Sequence, residues 1–251
     1  MIKRVVRGTQ PSASDSVQPM TNTSPVTVAD IRHSYAPEKR REELYGEWAA
    51  VLLYRPVSFL VTPLFLRLSI GASAVTLASL ALGLALPFLA WMFPPFPAAL
   101  AGGIGVAFCI LDCVDGNIAR VTGTVSRLGH YLDFVTDVVF RVAFYITIGI
   151  VGGVPLFACA LAALLAVGAR LCRVYAERFS DESVYARPES SGGGGVSGFL
   201  FPFLSGLDSL LPVAVILAGW FGGLGWVVAW LLFYSALDFG YTHYAVLRRL
   251  R

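Results

Sequence analysis

Residues 98–121 read AALAGGIGVAFCILDCVDGNIARV, and the reading of that stretch decides the fold. Its first fourteen residues carry neither charge nor proline, while the last ten carry Asp112, Asp115 and Arg120. An α-helix rises 1.5 Å per residue, so ~20 apolar residues cross a hydrocarbon layer of ~30 Å. The stretch is therefore a membrane span with two acids set near one end. A carboxylate at the centre of such a helix costs ~2.5–3.5 kcal/mol on insertion, so a chain that keeps two has a use for them.

Working outward, the same pattern recurs. Further apolar segments of membrane-helix length lie near residues 72–93, 128–152, 154–178, 204–221 and 224–247, which predicts six transmembrane helices. The 251 residues are 56% hydrophobic and only 14% charged, against roughly 25% charged in an ordinary soluble domain. A water-soluble globule, a disordered chain and a nucleic-acid-binding module are all excluded. The formal net charge of +3 decides little; the distribution decides more. Residues 94–97, 152–155 and 222–225 form turns without a charge, whereas Lys and Arg crowd the N-terminal region, Arg120–Arg127, Arg170–Arg187 and Arg248–Arg251. By the positive-inside rule the basic side, with both termini, faces the cytoplasm, and this is the cytoplasmic membrane if the chain is bacterial.

Before the first span, residues 1–30 are rich in Ser, Thr, Pro and Gln and are expected to be a disordered leader with no cleaved signal. Residues 31–68 turn charged and helical. Within them Arg55–Arg67 is short, bounded by proline and basic at both ends, which suits a helix lying in the membrane interface. The chain thus divides into a leader (1–30), cytoplasmic and interfacial amphipathic helices (31–68) and a six-helix catalytic domain (69–251). Its class is all-α and polytopic. The Gly-rich run at 190–195 reads as a linker between the fourth and fifth spans or as a lid over a cytoplasmic site. Cys109, Cys113, Cys159 and Cys172 lie in apolar spans without zinc-site spacing and are expected to pack as small apolar residues.

Between residues 68 and 169 only seven charged residues occur: Asp112, Asp115, Arg120, Arg127, Asp133, Asp137 and Arg141. Asp112, Asp115, Gly116 and Ala119 stand at i, i+3, i+4 and i+7, one stripe of the second span. Gly129, Asp133 and Asp137 stand at i, i+4 and i+8 on the third, and the short loop between lets the stripes face each other. Four carboxylates brought together repel unless cations intervene. With oxygen donors alone, and no His or Cys, the cations that fit are Mg²⁺ or Mn²⁺, or Ca²⁺. Two ions neutralise four carboxylates. A divalent-cation transport path is the competing use, but the acids cluster at one level and do not continue across the membrane.

These residues resemble the signature of the CDP-alcohol phosphotransferase family, D-x2-D-G-x2-A-R-x8-G-x3-D-x3-D. Asp112, Asp115, Gly116, Ala119, Arg120, Gly129, Asp133 and Asp137 match it at every fixed position. The resemblance implies transfer of a phosphatidyl-type group from CDP-diacylglycerol to the hydroxyl of a small polar alcohol, glycerol phosphate or inositol phosphate among them, releasing CMP in phospholipid synthesis. The reverse arrangement, a CDP-linked headgroup moved to a lipid alcohol, belongs to the same family. By similarity Asp112, Asp115, Asp133 and Asp137 hold two divalent ions, and Asp137 is the general base. Gly116, Ala119, Arg120 and Gly129 join the acids in contacting the CDP-linked donor. An Asn-x-x-Thr turn often opens the first span in this family; here Ser73 stands in for Asn and Thr76 is kept. Arg141, Arg170 and Arg173 are the acceptor-binding candidates, Arg141 because it lies one turn below Asp137. Asp238 on the sixth span is expected either to pair with an Arg or to bind the acceptor. A homodimer is implied by the resemblance alone.

Overall fold

The computed structural model describes residues 26–177 and 207–250. Most of the leader, the Gly-rich run at 190–195 and the first residues of the fifth predicted span lie outside them. Two short helices open the described chain, α1 (Val28–Ser34) and α2 (Pro37–Gly46). Thr27 caps α1 through a capping box with Asp30, and Pro37 begins α2 at a position where its missing N–H costs nothing. The long helices follow: α3 (Trp48–Arg67), α4 (Ala72–Met92), α5 (Ala98–Val121), α6 (Arg127–Gly152) and α7 (Leu156–Glu177). A 3₁₀ turn at Asp208–Leu210 leads into α8 (Leu211–Phe221), and α9 (Leu224–Leu250) ends the described chain. No strand occurs among the described residues.

Among the described residues six helices are long and apolar enough to cross a membrane. Trp48–Arg67, which contains the segment expected to lie in the interface, is one of them by length and composition, and the described part of the fifth predicted span, Asp208–Phe221, is a shorter apolar helix. Pro56 and Pro63, which bound the expected interfacial segment, both sit inside one continuous helix, so the apolar run does not stop at either.

The helices pack through small residues. The rings of Phe108 and Phe140 stack at 3.6 Å and those of Phe140 and Phe144 at 5.2 Å, forming a ladder between α5 and α6. Gly83 on α4 and Gly105 on α5 make room for it, since a Cβ at Gly105 would meet the Phe144 ring at 2.9 Å. Around Phe144, Tyr145 and Ile148 a core of Leu86, Ala162, Val215 and Leu231 closes the membrane interior. A smaller cluster, Val75, Val114 and Ile118, seals α4 against α5 beside the signature acids.

α5 and α8 approach each other closely. A Cβ on Gly102 would stand 2.5 Å from the Pro212 carbonyl oxygen. That oxygen belongs to backbone and cannot swing away, so Gly102→Ala is expected to cost about 1–3 kcal/mol through overpacking. Thermal unfolding in detergent measures it.

Candidate active site

The signature stripes meet where α5 and α6 run beside α3, α4 and α7. Asp115 is buried on α5 and lies 2.5 Å from the Thr76 hydroxyl of α4. That hydroxyl also lies 3.1 Å from the Ala72 carbonyl, so one proton serves two acceptors. Ser73, one turn earlier, is exposed at the start of α4. Asp133 lies within electrostatic reach of Asp112 and Asp137. Asp112 in turn lies within electrostatic reach of Asp137, Asp133 and Asp115. Helical spacing alone placed the four carboxylates on facing stripes, and the fold brings them together.

Carboxylates this near one another repel unless a proton or a cation intervenes. The donor set is oxygen throughout, which fits a hard divalent ion in kind. As the side chains stand, no three acidic, His or Cys residues among those described converge closely enough to enclose one. Thr76 holds Asp115, and Arg170 on α7 holds Asp137 at 2.7 Å.

A cavity of about 140 Å³ opens beside these acids, lined by Glu47, Asp112, Asp137, Arg141, Arg170 and Asp208 among others. Arg170 and Arg141 are thus placed on the same space as Asp137. Neither guanidinium is without an acid: Arg170 pairs with Asp137, and Arg141 pairs with Asp208. Tyr145 adds its hydroxyl at 3.4 Å from Asp208. The Nε of Arg141 is buried with no partner among the described residues, and it is an N–H donor still to be satisfied.

Arg173 is placed differently. It donates to both oxygens of Asp238, at 2.8 and 3.0 Å, and lies 3.1 Å from the Thr242 hydroxyl. It ties α7 to α9 and does not line the cavity. Of the two roles expected for Asp238, pairing with an Arg is the one observed. Cys172, next to Arg173, is free like the other three cysteines and faces His243 Nε2 at 3.7 Å.

Arg120 closes the other side. Its Nη2 donates to Asn117 Oδ1 at 2.7 Å, and the Asn117 amide donates on to Ser58 and Thr62 of α3 at 3.0 and 3.2 Å. Asn117, Ser58 and Thr62 are fully buried. The guanidinium stands over the Tyr35 ring at 5.8 Å and against the open face of Gly116. Tyr35 in turn donates to Glu43 at 2.6 Å, and Arg55 grips the same carboxylate with two N–H groups. Burial and the Glu43 carboxylate push the Tyr35 phenol above its ordinary pKa, which keeps it a donor. Gly129, capped by Ser126 at 3.0 Å, has nothing but that hydroxyl within reach of an added Cβ.

Two residues at the cavity escaped the sequence reading. Glu47 follows the charged run of α2 and has no spacing that ties it to the acidic stripes. Asp208 fell inside a stretch assigned as a span, and a lone acid in an apolar run was the signal available.

Known proteins bear on this geometry. Over 97 residues the chain is 37% identical to an archaetidylinositol phosphate synthase of Aeropyrum pernix, a match covering 38% of this chain and 47% of that protein. The chain thus spans about half the length of that curated relative. The CDP-alcohol phosphatidyltransferase family matches residues 70–234, which takes in both acidic stripes, Thr76, Arg141, Arg170 and Asp208. With its signature acids gathered on α5 and α6, and the match running through most of the long helices, the chain belongs to the CDP-alcohol phosphatidyltransferase family.

Proposed function

We propose that this chain is a membrane transferase that moves a phosphatidyl-type group from a CDP-linked lipid, CDP-diacylglycerol, to a hydroxyl of a small phosphorylated alcohol, releasing CMP. The observation that carries the reading is the cavity that Asp112, Asp137, Arg141 and Arg170 line together, with Arg170 paired to Asp137. Acids and arginines on one small space suit a phosphate-bearing acceptor presented to a reacting diphosphate. Inositol phosphate is the first acceptor to try, given the name of the Aeropyrum relative; glycerol phosphate is the second. The reversed arrangement, with the headgroup on CDP, gives the two arginines no anionic acceptor to bind.

The family is divalent-metal dependent. Asp112, Asp115, Asp133 and Asp137 are the residues that would hold two ions, Mg²⁺ or Mn²⁺, whose chemistry is to neutralise the diphosphate. The chain's own residues do the rest. Thr76 fixes Asp115, and Asn117 fixes Arg120, which faces the donor side with Gly116, Ala119 and Gly129. Ser73 is available to the cytidine from the start of α4. Arg170 and Arg141 bind the acceptor phosphate, while Arg173 supports them by holding α7 to α9. The acceptor oxygen attacks the phosphorus that carries the lipid. Its proton passes to Asp137, and the bond to the bridging oxygen breaks as CMP leaves. The reaction takes place on the cytoplasmic side, where the basic loops lie, and a homodimer is the assembly the family suggests.

The test is purified protein in lipid with CDP-diacylglycerol, Mg²⁺ or Mn²⁺, and a panel of alcohols. CMP release with inositol phosphate or glycerol phosphate, abolished by chelation, is the expected result. No CMP with any acceptor in either donor format overturns the reading.

A further inference from the structure

Away from the acids, a second and larger cavity of about 630 Å³ opens between the N-terminal helices and α3. Arg32, Arg40, Arg41 and Arg55 line it together with Val51 and Phe59, the last two on the same face of α3 as Arg55. Glu43 answers the charge of Arg55. Among the described side chains no carboxylate lies within ion-pair distance of Arg32, Arg40 or Arg41. Three cations with no ion pair among the described side chains share one cavity, and Arg32 rests over the Phe59 ring at 5.9 Å.

The rim of the cavity is apolar. Leu52, Pro56 and Leu60 stand at i, i+4 and i+8 on α3, one row along the helix. Pro56 lines the cavity, and its neighbours Leu52 and Leu60 are 61% and 66% exposed. A polar basin thus passes directly into a hydrophobic ridge. That is the outline of a lipid: a headgroup site with a track for acyl chains.

We propose that this cavity binds an anionic phospholipid of the surrounding bilayer, its phosphate among Arg32, Arg40 and Arg41 and its chains along Leu52, Pro56 and Leu60. Guanidinium groups match phosphate oxygens in forked pairs, and clustered arginines beside a membrane helix recognise anionic lipid. A zwitterionic lipid would bring an ammonium to the same three cations, and a soluble phosphate would leave the ridge uncovered. The site is separate from the reaction centre, since no signature residue lines it. It is nevertheless in touch with that centre, because Tyr35 forms part of its wall and carries the Arg120 guanidinium on its ring.

Delipidated full-length protein, titrated with phosphatidylglycerol or phosphatidylcholine and read by native mass spectrometry, tests the proposal. Wild type should retain one phosphatidylglycerol in clear preference to phosphatidylcholine. The triple variant Arg32→Gln, Arg40→Gln, Arg41→Gln should lose that preference, about fivefold per arginine and on the order of a hundredfold together. Arg41→Glu alone, at an exposed position, should reproduce the direction if the triple variant does not fold. Equal retention by wild type and variants overturns the proposal, as does equal binding of phosphatidylcholine or displacement by glycerol phosphate or CDP-diacylglycerol. The readout is lipid retention and not CMP release, so its failure leaves the proposed reaction untouched, and the reverse holds too.

Discussion

Asp137→Asn is expected to leave a folded protein whose CMP release is slower by about 10²–10⁴-fold, the usual contribution of a general base. The amide keeps the shape of the carboxylate but cannot take the acceptor proton, and it is a poorer partner for a divalent ion. Little stability should change. The pair it breaks, with Arg170, is about a quarter exposed on both sides, and pairs of that kind contribute about 1 kcal/mol or less. A melting curve close to wild type, with kcat reduced, is the expected combination. Wild-type turnover in Asp137→Asn would remove the residue from the chemistry.

The largest effect on stability should come from Arg173→Leu. Arg173 and Asp238 are 18% and 10% exposed and join α7 to α9 through two hydrogen bonds. Removing the cation leaves a carboxylate in the helix interface with Thr242 nearby, and breaking a buried pair from one side costs about 3–5 kcal/mol. The double variant Arg173→Leu, Asp238→Leu should recover most of that loss, because the buried charge then goes with its partner. Denaturant or thermal unfolding of the two variants in the same detergent decides it. If the double variant is no more stable than the single, the pair is not what holds these helices.

How far the sequence could be read varies with the kind of residue. The acidic stripes were legible because helical spacing is a property of the chain itself: Asp112 with Asp115, and Asp133 with Asp137, share faces in any α-helix. The count of long apolar helices was legible for the same reason. What lay beyond reach was pairing between distant segments. Nothing near Arg173 marks Asp238, 65 residues away, as its partner, and nothing near Arg141 marks Asp208. Asn117 was passed over as a variable position within the signature. Its importance rests on Ser58 and Thr62, more than fifty residues earlier. The continuity of α3 was harder to read, because Pro56 and Pro63 resemble boundaries in the sequence and yet both lie inside one helix.

The match to the family begins at residue 70, after the last residue of α3. Asn117 lies well inside that match, yet the two hydroxyls that satisfy its amide lie outside it, on α3. The edge of recognisable ancestry is therefore not an edge of the folded body. A protein cut back to the recognisable part would strand the amide of Asn117 in an apolar interior, at about 1–3 kcal/mol for each buried group left unsatisfied. It would also release Arg120 from the residue that aims it. A segment outside the family match is, in this chain, the splint against which the matched part is set.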